Sequence, residues 1–410
     1  MLASFIAGIM VARYLGPEKL GLLSYAQSFV ILFSALATLG LDGIIVRELV
    51  QQNTKTPTIM GTGFLLKLIG ASIAWLLIGC ALWLINSDAM ARVMILIIAG
   101  GLLFQSLGVL DFYYQSQVIS KYSATARILS VLVSVGIKVL LIVNGADLFW
   151  FALVVAFDAA LTALFFLVGY KHLGLKLSSW KFDITLAREL LSDSWPLILS
   201  GLMVSVYMRI DQIMINHMLD SAAVGIYNVG VRLTEIWFVF PVLIVQSVFP
   251  SIIKARQTNR SHYIRRLQAL YDFVVGLMII IAIPIAFFSQ DIVNMFFGIE
   301  YQGAGPVLCI QIWAGIFVAL GVASSRWLLN ENLNRYSLYR AGLGSIVNVI
   351  LNLILIPYYG ILGASLSTVI SYMIAIFSLG IFPKTREALP QFIKALFFIR
   401  RIFTIKRFLK

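Results

Sequence analysis

Residues 59–85 read IMGTGFLLKLIGASIAWLLIGCALWLI, a run whose single charge is Lys67. A helix needs about 20 apolar residues to cross a bilayer core about 30 Å thick, so this run alone is long enough to span one. Working outward, comparable segments lie near 1–14, 20–41, 91–112, 124–144 and 148–169. A polar stretch from Lys171 to Arg188 follows, then six more segments near 194–217, 222–250, 267–289, 304–328, 338–358 and 361–382, and a basic tail. Of the 410 residues, 60% are hydrophobic and 12% charged. Soluble domains carry about 45–50% apolar and about 25% charged residues. That balance excludes an ordinary cytosolic enzyme, a disordered chain and a disulfide scaffold. The chain reads as an all-α integral membrane protein with about 12 transmembrane helices.

Repetition organises those segments. Arg13-Tyr14-Leu15-Gly16-Pro17-Glu18-Lys19-Leu20-Gly21 closes the first and opens the second. Shifted by 204 residues it falls on His217-Met218-Leu219-Asp220-Ser221-Ala222-Ala223-Val224-Gly225, which closes the seventh and opens the eighth. Lys121-Tyr122-Ser123 before the fifth matches Arg335-Tyr336-Ser337 before the eleventh. Six helices repeated in the same orientation give the parallel repeat of a two-lobed transporter. The expected division is a six-helix lobe over 1–170, a cytoplasmic linker over 171–193, a second six-helix lobe over 194–383 and a basic amphipathic cytoplasmic tail over 384–410. The first segment has only twelve residues before Arg13, short of a crossing, and is read as a truncated first helix. It lacks the basic n-region and cleavage site of a signal peptide.

Charge sets the orientation. With the loop between segments two and three and every second loop after it in the cytoplasm, 24 of the 31 Lys and Arg are cytoplasmic. Arg13, Lys19 and Arg92 alone face the other side, and Lys67, Lys138, Arg209 and Arg232 lie within spans. This asymmetry puts both termini in the cytoplasm. Most of the +13 net charge is therefore topological and does not point to nucleic acid. The tail from Gln391 mixes Phe and Ile with Lys and Arg, a pattern that lies along an anionic leaflet.

A charge at mid-bilayer costs about 2.5–3.5 kcal/mol on insertion scales, so it faces a partner or a water-filled cavity. Lys67, Lys138, Arg209 and Asp158 are deep enough to line a cavity. Arg127 and Lys138 are eleven apart and return to nearly one face of segment five, although Arg127 is shallow enough to snorkel. Arg232 and Glu235, at i, i+3, either neutralise each other or serve the cavity. Asp211 accompanies Arg209, Asp272 is interfacial, and Asn348 and Asn352 share a face as interhelical glue. An excess of buried cations gives a positive lining that suits a phosphate, carboxylate or pyrophosphate. Lys67, Lys138, Arg209, Arg232 and Arg127 are the candidates for binding it; Asp158, Asp211 and Glu235 are candidates for coupling or for pairing those cations. Cys80 and Cys309 read as small buried hydrophobes, and His172, His217 and His262 are too scattered for a metal cluster. No GxxxxGK[ST] loop is present, so the chain carries no ATP-hydrolysing motif, and no cofactor is expected.

Ala12-Arg13-Tyr14-Leu15-Gly16-Pro17-Glu18, with Gly21 and Tyr25, resembles the opening signature of polysaccharide flippases related to the O-antigen flippase. These form part of the multidrug/oligosaccharidyl-lipid/polysaccharide exporter superfamily. Arg209-Ile210-Asp211-Gln212, Val224-Gly225-Ile226-Tyr227 and Phe249-Pro250 resemble the corresponding stretch of that family's second half. The resemblance implies a two-lobed fold with a central cavity and alternating access in the bacterial cytoplasmic (inner) membrane. It implies a cargo of oligosaccharide on undecaprenyl pyrophosphate, with membrane lipids, a polysaccharide polymerase and chain-length machinery as partners and no enzymatic activity. Two other readings stand beside it: a multidrug or cation antiporter of the same superfamily, which calls for an acidic cavity, and a membrane-embedded polymerase or ligase, which calls for a sizeable periplasmic loop.

Overall fold

The computed structural model describes residues 2–84 and 88–397, and among these every regular element is helical. In chain order the α-helices are α1 (Leu2–Thr38), α2 (Asp42–Gln51), α3 (Thr56–Leu84), α4 (Ala89–Gln105), α5 (Val109–Ser116), α6 (Lys121–Val143), α7 (Leu148–His172) and α8 (Ile184–Met218). They continue with α9 (Ser221–Glu235), α10 (Val239–Thr258), α11 (Arg260–Phe287), α12 (Ser289–Phe297), α13 (Ala304–Gln311), α14 (Ala314–Asn330), α15 (Asn334–Phe377) and α16 (Leu389–Leu396). Nine stretches among the described residues are long and apolar enough to cross a membrane, or ten with α13 and α14 taken as one span bent by 40°. The protein is a multi-pass membrane protein.

The count is smaller than the number of apolar segments because two pairs of segments run on through a single glycine. Segments one and two meet inside α1 at Gly16 (φ 71°, ψ 173°), and segments eleven and twelve meet inside α15 at Gly360 (φ 56°, ψ −136°). Both conformations are open to glycine and costly for any residue with a Cβ. Pro17, directly after Gly16, removes a backbone donor at that break, and Pro357 does so three residues before Gly360.

The chain divides into two compact units, residues 1–213 and 214–410. In the first, α4 packs on α7, α1 and α3, and α7 also packs on α6. Small side chains let these backbones approach: a Cβ on Gly101 would lie 3.4 Å from Ala156 Cα and 3.7 Å from Ala159 Cβ. The stretch after α7 is tied to the start of α3. Lys181 N donates to Pro57 O (3.1 Å), and Asp183 N donates to Thr62 Oγ1 (3.0 Å). Gly61 leaves room for the backbone of Lys181 there. Asp183 then starts α8, its Oδ1 accepting from Thr185 N at 2.7 Å and Leu186 N at 3.3 Å. This cap is why α8 begins at Ile184; the helix contains Pro196 in its interior. In the second unit α11 packs on α10, α14 and α16, and α13 packs on α9 and α15. The tail opens with α16, seated by Phe392 edge-on to Tyr271 (5.2 Å between centroids) and by Gln268 Nε2 donating to Gln391 O (3.0 Å). Phe397 at its end is exposed. The tail beyond it, with Arg400, Arg401, Lys406, Arg407 and Lys410, lies outside the described residues.

Candidate functional site

Three of the five candidate cations are bound by carboxylates of the first unit. Lys67, on α3, is buried with its side chain 5% exposed, and its Nζ donates to Asp42 Oδ1 at 2.9 Å. The ammonium also sits 4.5 Å from the centroid of Phe112, a contact that stabilises a cation by electrostatic attraction to the ring face. α2 and α5 pack together, and this places Asp42 at the first turn of α2 and Phe112 on α5 around the same lysine.

Arg127, on α6, donates from Nη2 to Asp111 Oδ2 at 2.8 Å. The arginine side chain is 63% exposed and the aspartate 6%, so the carboxylate is the buried partner and the guanidinium its cover. Gln115 Nε2 donates to the same Oδ2 at 3.0 Å. Sequence reasoning missed Asp42 and Asp111. Both sit on short helices that hydropathy absorbs into the ends of spans, and each lies on a different helix from its cation.

Lys138 and Asp158 meet between α6 and α7. Lys138 Nζ donates to Asp158 Oδ2 at 3.1 Å, with side chains 23% and 37% exposed. One turn away Ser130 Oγ lies 2.8 Å from Thr162 Oγ1, and Thr162 Oγ1 donates to Asp158 O at 2.9 Å. The structure therefore joins one binding candidate to one coupling candidate in a single polar seam. Arg127 and Lys138 share the face that meets α7, but the eleven residues between them span roughly 16 Å of helix at 1.5 Å per residue. They are two stations and not one site.

Asp211 is buried near the end of α8, and its neighbour Gln212 accepts from Ser28 Oγ at 2.7 Å. Arg209 is half-buried on the same helix. In the second unit Arg232 and Glu235 are both half-buried on α9, three residues apart. Asn348 and Asn352 are fully buried, with Asn352 Nδ2 donating to Asn348 Oδ1 at 3.2 Å. Asp272 accepts from Gln268 Nε2 at 2.7 Å. The second unit adds a buried group that the sequence did not single out: Tyr227 OH accepts from Gln311 Nε2 at 2.8 Å and lies 3.4 Å from Thr368 Oγ1.

Residues 1–256 match the family described as Polysaccharide biosynthesis protein. The chain belongs to this family. Residues 196–354 also match the MatE family. Among curated relatives, the chain is 26% identical over 190 residues to "Probable flippase AglR" of Haloferax volcanii, covering 45% of this chain and 40% of that one. It is also 26% identical over 192 residues to "Probable low-salt glycan biosynthesis flippase Agl15" of the same organism, covering 46% and 40%. The matched region spans about two fifths of the length of these relatives. The fold is that of the wider superfamily. An inward-facing multidrug resistance MATE transporter superposes with a TM-score of 0.70 at 15% identity, over 96% of this chain and 95% of that one. A transporter of the same superfamily from Pyrococcus furiosus, described as having a binding pocket of reversed polarity, gives 0.67 at 15% identity, over 95% and 92%. The lipid II flippase MurJ gives 0.61 at 17% identity, over 98% and 86%.

Proposed function

We propose that this protein is a secondary transporter that flips a lipid-linked oligosaccharide, carried on undecaprenyl pyrophosphate, from the cytoplasmic to the periplasmic leaflet by alternating access. The observation that carries the reading is the family match over residues 1–256, and the flippase names of the two archaeal relatives support it. The physical logic is that a pyrophosphate and a string of hydroxyls cannot cross hydrocarbon unaided, while the polyprenyl tail stays in lipid. Cations at membrane depth meet the pyrophosphate, and Lys138, Lys67, Arg209, Arg232 and Arg127 are the residues assigned to it. Asp158, Asp211 and Glu235 hold those cations or take a coupling ion. An even number of crossings, twelve in this reading, sets both termini on one side, and the Lys and Arg asymmetry assigns that side to the cytoplasm of a bacterial inner membrane. The partners are membrane lipids, a polysaccharide polymerase and chain-length machinery.

A second reading, export of cationic drugs, draws on the MatE match over residues 196–354. Expression in a bacterial strain lacking its own O-antigen flippase separates the two. Restored lipopolysaccharide ladders, lost on Lys138→Ala at unchanged protein level, are the outcome of the flippase reading. Drug resistance without ladders is the outcome of the exporter reading.

A further inference from the structure

α1 gives way to α2 at residues 39–41, where Leu39 (φ 51°) and Gly40 (φ 61°) both lie in the left-handed region. α4 gives way to α5 through a 3₁₀ turn over Ser106–Gly108. The second unit repeats the pattern, with a 3₁₀ turn over Ile236–Phe238 between α9 and α10 and a 40° bend between α13 and α14. A left-handed leucine is costly, and a 3₁₀ stretch inside a helical run often marks a hinge. Beyond the breaks the half-helices pack in pairs, α2 on α5 and α10 on α14.

The first unit shows how such a pair is held. At the pivot both half-helices bear on one ammonium, that of Lys67 on the unbroken α3. Lys67 Nζ donates to Asp42 Oδ1 in the first turn of α2 and lies over the Phe112 ring of α5. It is also 3.8 Å from where a Cβ on Gly108 would stand, at the break itself. A lysine ammonium is a compact charge with rotatable donors, so these contacts survive a change of tilt. Leaving Lys67 buried without a carboxylate is costly, which keeps the pivot closed. Two N–H donors remain beside the one on Asp42, so the bearing leaves Lys67 its place among the cargo cations. At the tip of α2 the hold is of another kind. Arg47 Nη2 donates to Asp193 Oδ2 on α8 at 2.6 Å, with side chains 47% and 52% exposed. Exposed ion pairs are weak. Arg47 Nη2 also donates to Glu48 Oε1 at 2.9 Å, so the guanidinium keeps a partner on its own helix when Asp193 is released.

Resting on the flippase reading, we propose that α2, with α5 against it, is a flap that swings at the cytoplasmic end of the first unit during transport. It is hinged at residues 39–41 and 106–108, borne on Lys67 and latched by Arg47 to Asp193. This differs from rocking of rigid lobes, which preserves every contact inside a lobe. Arg47 and Asp193 both lie within residues 1–213, the first unit, and the flap parts them in each cycle.

The test locks the latch. In a background with Cys80 and Cys309 replaced by serine, Arg47→Cys/Asp193→Cys is bridged by a short bis-methanethiosulfonate reagent that a reductant cleaves. Flipping of a fluorescent oligosaccharide on undecaprenyl pyrophosphate is then followed in proteoliposomes. Bridging is expected to abolish flipping and the reductant to restore it in the same sample, so a folding defect cannot mimic the result. The control lock is Gly101→Cys/Ala159→Cys, between α4 ahead of its break and α7. A Cβ on Gly101 would lie 3.7 Å from Ala159 Cβ, a separation that suits a disulfide. This lock is expected to leave flipping unchanged. Full flipping with the latch bridged, or equal loss from the control lock, overturns the flap and leaves the flippase reading standing. Absence of flipping from the folded, unaltered protein overturns both.

Discussion

Lys67 shows how a charge is kept inside a membrane protein. Its ammonium is buried, bonded to Asp42 and laid over Phe112. Removing the carboxylate leaves an uncompensated buried cation, a change that costs about 3–5 kcal/mol when both partners are buried. Asp42 is 54% exposed, so water softens the loss, and about 2–3 kcal/mol is the expectation for Asp42→Asn. Thermal unfolding of the detergent-solubilised protein is expected to show a clear fall in midpoint for Asp42→Asn and recovery of most of it in Asp42→Asn/Lys67→Met. A double variant as unstable as the single one contradicts the pairing. At this scale the sequence was half legible. The depth of Lys67, Lys138 and Asp158 follows from hydropathy alone. The partners Asp42 and Asp111 do not, because 25 and 16 residues separate them from their cations and only tertiary packing of α2 and α5 brings them near.

Among the elements, the two broken helices carry the clearest local logic. Gly16-Pro17 and Gly360 with Pro357 are readable in the sequence as interruptions, and they fall where the apolar segments were separated. That the interruption is a single residue, so that one helix flows into the next, is a matter of backbone dihedrals that composition does not encode. Gly360→Ala is expected to destabilise by about 1–3 kcal/mol, since no L-residue with a Cβ is comfortable at φ 56°, ψ −136°. A lowered unfolding midpoint in Gly360→Ala, set against an unchanged one in Gly276→Ala, checks it. Gly276 lies on α11 and has open space where a Cβ would sit. Equal midpoints for the two variants would show that the break carries no strain. Between α6 and α7 the alternation of serines with charged residues was visible as isolated deep charges. The seam emerges only when the register of the two helices is known.

For the whole molecule, the charge asymmetry makes the strongest prediction from sequence alone. Ends rich in Lys and Arg face the cytoplasm, so the connection at Lys176 is inside and the turn at Asn144 outside. Both positions are exposed. In a background with Cys80 and Cys309 replaced by serine, Asn144→Cys in intact cells is expected to react with a membrane-impermeant maleimide, and Lys176→Cys to react only after permeabilisation. The reverse pattern overturns the orientation. Family and helical membrane architecture were thus legible from hydropathy and a few motifs. The pairing of buried charges needed coordinates.

The central claim is movement of a pyrophosphate-linked glycan between leaflets, and it is tested most directly in proteoliposomes. A fluorescent lipid-linked oligosaccharide on undecaprenyl pyrophosphate is placed in both leaflets, and an impermeant quencher is added outside. The account predicts that the protected inner-leaflet fraction falls in vesicles holding the protein and stays protected in vesicles holding Lys138→Ala. A protected fraction identical to that of protein-free vesicles, from correctly inserted and folded protein, would contradict it.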